Sequence, residues 1–371
     1  MSIITGVIGI VFIFGIIIAI HEIGHFIFAR ISGMKVTDFA LGMGPAIFSF
    51  KRGDTTYALR CIPFGGYVNI VGMEVDDADQ VVEGGFNDKP WPLRFLTLFG
   101  GVLFNIILAM LLMFCVAYFV GFKTPGKDIT ITSVNPKSPA EKAQLRSGDI
   151  IIGINDQPVE ILELSQIIKN SNTEIVFNIE RNGTKIDIPI TPKEIDVYKP
   201  PQGWGAIEVE KIHGVGITMD ILGSEYVTAP FIDSIQHSVF GTWEMFRLNI
   251  VSFISLFQGS VPASELGGPV AIMKESYKAA STDDLTREWI ARMLVFTAFI
   301  SFAVGLFNLF PIPGLDGGRL LFLVIELCRG GRPVNRKTEA IIHGVGLAFL
   351  FAFIFLVTIK DVFQLFTRGG S

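Results

Sequence analysis

The sequence predicts a polytopic α-helical membrane protein of about four spans, with a membrane-associated β-hairpin and one extracytoplasmic α+β domain. Three observations predict it. Of 371 residues, 50% are hydrophobic and only 18% are charged, and the mean hydropathy is +0.52; soluble domains are typically about 25% charged. Four apolar runs, Ile3–Ala29, Phe95–Val120, Trp289–Phe310 and Ile341–Ile359, meet the need for roughly 20 residues per crossing. Between the second and third, Asp128 to Glu194 alternates apolar and polar residues between turn signals, as strands of a compact soluble unit do.

The first run begins near the N-terminus but does not read as a signal peptide. No Lys or Arg precedes Arg30, and the run far exceeds the roughly 7–15 residues of a signal core. Inside it lies His21-Glu22-Ile23-Gly24-His25. On a helix this spacing puts two imidazoles on one face, at i and i+4, with a carboxylate beside them. Such a set can hold zinc and activate a water. Ionisable groups inside an apolar span are costly, so they mark function.

Basic residues set the orientation. Arg30, Lys35, Lys51, Arg52, Arg60, Lys89 and Arg94 follow the first span, and Arg319, Arg329, Arg332, Arg336 and Lys337 separate the last two. Both loops are therefore expected in the cytoplasm, with the N-terminus, the 122–288 region and the C-terminus outside. His21 lies 18 positions after Ile3, about 27 Å along a helix, against a hydrocarbon core of about 30 Å. The motif should sit in the cytoplasmic half of the membrane.

After the first span, Ala46–Phe50 and Thr55–Arg60 read as a β-hairpin turning at Gly53. Its edge could take an extended peptide by strand addition. The soluble unit follows the second span. Ile129–Val134 alternates as a strand, Ser138-Pro139-Ala140 starts a capped helix, and Gly148–Asn155 is a Gly-bounded strand. Leu162–Asn170 looks helical, and Glu174–Arg181 turns at Asn182-Gly183 into Thr184–Ile190. The residues Ser138, Pro139, Ala140, Ala143, Leu145, Gly148, Asp149, Ile151, Ile154, Asn155 and Val159 closely resemble the PDZ pattern. That resemblance implies capture of chain termini by strand addition. No GLGF-like carboxylate loop is visible, which leaves a purely steric role open. Phe231–Phe257 places Ile232, Ile235, Val239, Trp243, Phe246, Ile250, Ile254 and Phe257 at helical spacing, an interfacial amphipathic helix. The expected domains are 1–121, 122–198 (PDZ), 199–285 and 286–371.

A catalytic zinc takes a third protein ligand and keeps one position for water. Asp316, in Asn308-Leu309-Phe310-Pro311-Ile312-Pro313-Gly314-Leu315-Asp316-Gly317, is the best candidate. It follows the third span, and charge counting alone puts it on the same side as His21 and His25.

Other features bound the function. The net charge of −5 comes without a basic stripe, so nucleic acid is not an expected partner. Cys61, Cys115 and Cys328 are scattered and form no zinc or disulfide pattern. His213 and His237 read as surface or interfacial residues, and His343 as a boundary residue of the fourth span. A metal transporter would need further polar residues along the second and fourth spans, and these are almost absent. A non-enzymatic PDZ scaffold leaves Glu22 and Asp316 without a reason.

The first-span HEIGH, the Asn308–Gly317 element and the intervening PDZ-like unit together resemble the site-2 protease family, in its bacterial branch of regulated intramembrane proteolysis. Gly101–Asn105 is similar to that family's GxxxN element, and Gly267–Ile272 to its GPVxI segment. Only one PDZ-like unit is found, where many relatives carry two. The resemblance implies a zinc metalloendopeptidase of the bacterial inner membrane. Zn2+ would be bound by His21, His25 and Asp316, and Glu22 would be the general base. Asn308 and Asn105 would contact substrate backbone or the developing oxyanion. The implied partners are the lipid bilayer and single-span membrane proteins, such as anti-sigma factors or remnant signal peptides. The PDZ-like unit would meet the substrate's ectodomain or its trimmed terminus.

Overall fold

The computed structural model describes residues 3–73, 82–135, 137–199, 205, 207–260 and 287–368. Two compact units divide the chain: Met1–Val116 with Phe231–Phe246 and Leu266–Ser371, and Ala117–Pro230 with Arg247–Glu265.

The first unit is helical. Its α1 (Ile3–Ile31) is followed by a two-stranded sheet, then by α2 (Trp91–Cys115). After Phe231 come the first part of α5 (Phe231–Phe257), whose residues from Arg247 on belong to the second unit, then α6 (Arg287–Leu309), α7 (Asp316–Cys328) and α8 (Arg336–Arg368). Among the described residues, four helical stretches are long and apolar enough to cross a membrane: Val11–Ile31, Trp91–Val120, Trp289–Leu309 and Lys337–Asp361. Large apolar side chains such as Phe12, Leu111, Phe299 and Phe349 point outward from all four, which suits lipid rather than water. The Gly267–Ile272 segment lies outside the described residues.

The α1–α2 crossing is built on glycine. A Cβ on Gly24 would fall 2.2 Å from the Gly100 carbonyl oxygen, so only bare backbones can meet there, as small residues allow in membrane helix pairs. Two apolar clusters flank this crossing. Ile17, Leu108 and Ile300 join α1, α2 and α6. Ala29, Leu98, Leu320 and Leu323 join the far end of α1 to α2 and α7.

The sheet after α1 is more elaborate than the expected hairpin. Strands β1 (Val36–Arg52) and β2 (Thr55–Ile70) turn at Gly53, with Arg52 opposite Thr55. Both strands then bend where Gly42, Gly44 and Gly65 take positive φ (86°, 81° and 87°), a conformation that glycine adopts without strain. The bends fold β1 back, so Asp38–Leu41 faces Thr56–Leu59 on one side and Gly66–Asn69 on the other. Residues 66–70 thereby become an outer strand.

Helix α5 shows its apolar side to the outside. Ser234, Ser238 and Thr242 are buried, whereas Ile232, Ile235, Val239 and Trp243 are exposed. The Ser238 hydroxyl donates to the Met110 carbonyl of α2 (2.6 Å). Small hydroxylated residues packed inward with bulky apolar ones outward is the arrangement expected in an apolar medium.

The second unit is β-rich. It contains β3 (Phe122–Val134), α3 (Pro139–Lys142), β4 (Ile150–Ile154), α4 (Ile161–Asn170), β5 (Ile175–Arg181), β6 (Thr184–Ile190), β7 (Lys193–Lys199), β8 (Glu208–Gly214) and β9 (Ile217–Val227). One antiparallel sheet runs β6-β5-β4-β3-β9, and β7-β8 form a separate pair. Alternation works as expected, with Ile175, Phe177 and Ile179 of β5 in the core beside Ile131, Ile151 and Leu164. The Asn182-Gly183 turn has both φ positive (51° and 77°), as a two-residue hairpin requires. Ser138 caps α3 by accepting the Glu141 N–H at 3.2 Å. A further turn carries two glycines. Gly214-Val215-Gly216 leads into β9, with Val215 in the core and Gly216 at φ +79°.

Candidate metal centre

The HEIGH residues lie on the last turns of α1, where the chain is still fully helical. His21 and His25 are nearly buried, at 8% and 9% exposure. Asp316 opens α7 and comes from 295 residues away to meet them. Its Oδ2 lies 3.0 Å from His21 Nε2 and 3.2 Å from His25 Nε2, and the two Nε2 atoms are 3.2 Å apart. A tetrahedral zinc with ligands at about 2.0–2.1 Å needs donor atoms about 3.3–3.4 Å apart. The three atoms therefore already form one face of such a tetrahedron.

The imidazoles must offer Nε2 as a lone pair, so each Nδ1 must carry the proton and meet an acceptor. For His25 this holds: Nδ1–H donates to the Thr97 carbonyl of α2 at 2.8 Å. His21 Nδ1 faces Asn105 at 3.2 Å. Its Nδ2 is the near atom, while Asn105 Oδ1 is buried without a partner. A half-turn of the amide exchanges its oxygen and nitrogen and gives Nδ1–H its acceptor. The donor set and its supports fit zinc.

Close packing fixes the set from α2. A Cβ on Gly101 would lie 2.4 Å from His25 Nε2 and 2.7 Å from His21 Nε2. The imidazoles rest directly on this glycine. On the Asp316 side, a Cβ on Gly317 would fall 2.1 Å from the Phe310 carbonyl oxygen, so α7 can start against the end of α6 only with glycine there.

A cavity of about 330 Å³ opens on the three candidate ligands. Glu22, Asn308, Arg319 and the β2 residues Gly65 to Val68 also line it. Glu22 lies against β2, since a Cβ on Gly66 would come within 2.9 Å of Glu22 Cγ. Asn308 donates to the Val304 carbonyl (3.1 Å) within α6, which leaves its carbonyl oxygen and one N–H for a ligand in the cavity. His21, Glu22, His25, Asp316 and Asn308 are thus brought together. Asn105 is fully buried, is absent from the cavity wall and touches His21 from behind. The strand at the site is 66–70, not the 46–60 hairpin.

Sequence reasoning missed the backbone of Thr97, the seat at Gly101, the Gly65-Gly66 contact and the cation of Arg319. Only the glycine pairs were visible as a signal, because small residues in membrane helices mark close approach.

A family model described as Peptidase family M50 matches residues 9–353. A protein of Fusobacterium nucleatum, provisionally named a zinc metalloprotease, is 32% identical over 95% of this chain and 97% of its own length. The zinc metalloprotease RasP of Oceanobacillus iheyensis is 29% identical over 98% of this chain and all of its own. A Clostridium acetobutylicum protein, also provisionally named a zinc metalloprotease, is 31% identical over 94% of this chain and 95% of its own.

Proposed function

The chain belongs to peptidase family M50 and is a zinc metalloprotease, and from that premise we propose that it cuts peptide bonds within transmembrane segments of single-span membrane proteins. The observation that carries this reading is the approach of Asp316 to His21 and His25, with the three ligating atoms 3.0–3.2 Å apart and both histidines on a helix apolar enough to span a bilayer.

His21, His25 and Asp316 would hold the metal through two Nε2 atoms and Oδ2. Zinc, when bound, supplies a Lewis acid that acidifies a water and polarises a carbonyl. Glu22 borders the same cavity, where its carboxylate would accept the proton of an attacking water and deliver it to the leaving amine nitrogen. Asn308 offers an amide N–H to the substrate backbone or to the oxygen of the scissile carbonyl. Asn105 holds the His21 ring in the ligating tautomer, so its role is positioning.

A helical peptide bond is shielded by its own hydrogen bonds, so the substrate must be extended where it is cut. The outer strand 66–70 can pair with that extended stretch by strand addition, and the bare Gly66 lets it run close to Glu22. The charge asymmetry of the loops supports a cytoplasmic-side active site in a bacterial inner membrane, with the PDZ-like unit outside. There it would select substrates by ectodomain size or by their trimmed terminus. Anti-sigma factors and remnant signal peptides fit that substrate class.

The test compares wild type with Glu22→Gln in detergent, reading zinc content and cleavage of a single-span substrate. The variant should hold equal zinc and cleave about 10²–10⁴-fold more slowly. Undiminished cleavage would remove Glu22 from the chemistry.

A further inference from the structure

His343 was expected to be a boundary residue of the fourth span, yet its ring reaches the turn that carries Asp316. Between α6 and α7, Pro311 and Pro313 have no N–H. The N–H groups of Phe310, Ile312 and Leu315 return to carbonyls of the same stretch. Gly314 is the exception: its N–H donates to His343 Nδ1 at 2.9 Å. Gly314 sits at φ +99°, a conformation that glycine adopts without strain, and this aims its N–H at α8.

The packing around this bond is tight. A Cβ on Gly346 would fall 2.3 Å from the Pro313 carbonyl oxygen, and one on Gly314 would fall 3.1 Å from the Leu347 nitrogen. A Cβ on Gly318 would meet His343 Cε1 at 3.1 Å. The backbone of α8 thus lies directly on the turn, and the His343 ring fills the space between Gly314 and Gly318. Because Nδ1 accepts, the proton of the neutral ring is on Nε2, with Glu339 Oε1 of the same helix 4.0 Å away.

We propose that His343 is a positioning residue for the third metal ligand, holding the Gly314 turn so that Asp316 Oδ2 meets His21 and His25. The inference rests on the zinc-protease reading. Asp316 follows Gly314 by two residues and has no side-chain cap at the start of its helix. A turn released from α8 would let Asp316 drift from a triangle whose sides are 3.0–3.2 Å. Outer partners of this kind typically change metal affinity 10–100-fold.

The test uses full-length wild type, His343→Asn, His343→Gln and His343→Leu in detergent. Zinc affinity is read by competition with a chelator, and KM and kcat on a single-span substrate. Asn places an acceptor near the Nδ1 position, whereas Gln is closer to His in volume but reaches too far. Asn should keep near-wild-type zinc affinity. Gln and Leu should bind zinc about 10–100-fold more weakly, with kcat lowered and KM unchanged. A packing role would rank Gln above Asn, and that order overturns the proposal. So does wild-type zinc affinity in His343→Leu; if that variant does not fold, the Asn–Gln order decides. Wild type that binds no zinc would overturn the zinc reading itself, and this inference with it.

Discussion

Arg94, in the first turn of α2, grips Glu326, in the last turn of α7, through both terminal guanidinium nitrogens, with Nη1 3.0 Å from Oε2. The side chains are only 10% and 16% exposed, and the guanidinium lies 5.9 Å from the Phe86 ring centre. Two-point pairing fixes direction as well as distance. It ties the helix that supplies Thr97, Gly101 and Asn105 to the helix that begins with Asp316.

Removing one partner should therefore be worse than removing both. Arg94→Met leaves a buried carboxylate unpaired and should cost about 3–5 kcal/mol, whereas joint replacement of the pair by apolar residues is often near neutral. Unfolding in detergent of Arg94→Met, Glu326→Met and the double variant measures this. If the single variants unfold like wild type, the pair contributes nothing to the fold.

Gly101 offers a test in which local helix stability and the metal site move in opposite directions. Replacing a mid-helix glycine by alanine should stabilise the helix by roughly 0.5–1 kcal/mol. The new methyl carbon would nevertheless lie 2.4 Å from His25 Nε2 and must displace the ligands. Gly101→Ala is expected to stay folded in detergent and to bind zinc at least about 10–100-fold more weakly, read by chelator competition. Unchanged zinc affinity would show that the imidazoles do not rest on this glycine.

The candidate metal ligands were legible because their chemistry conflicts with their surroundings. Two histidines and a glutamate in an uncharged apolar run need a reason, and charge counting brought Asp316 to the same side. The hairpin was half legible. Gly53 announced the tip, but the folding back of β1 at Gly42 and Gly44 depends on tertiary pairing with residues 66–70, and local alternation does not encode that pairing. Strand β9 escaped notice for a similar reason, since its partner β3 lies far back in the chain. His343 was hidden because a lone histidine near a span boundary looks like many others. Its bond to Gly314 exists only once α8 lies on the turn.

The β-rich unit carries a pH dependence of its own. Asp149 is 1% exposed. Burial pushes its carboxyl up, but Arg181 at 2.7 Å to both oxygens and the Arg146 N–H at 2.8 Å outweigh it. The carboxyl is held below the usual carboxylate range. The sign follows from linkage. A folded pKa below the unfolded value of about 3.9 gives stability that is present above that value and is lost as pH falls through the folded pKa. Hydrogen exchange of strands β3 to β6 in the full-length protein, corrected for intrinsic rates, should show opening free energies that are level near neutrality and fall in acid. Asp149→Asn should be less stable by about 1–3 kcal/mol at pH 7, and its acid dependence should be flatter because the titrating group is gone. An Asn variant with the wild-type acid slope would move that dependence to other carboxylates of the unit.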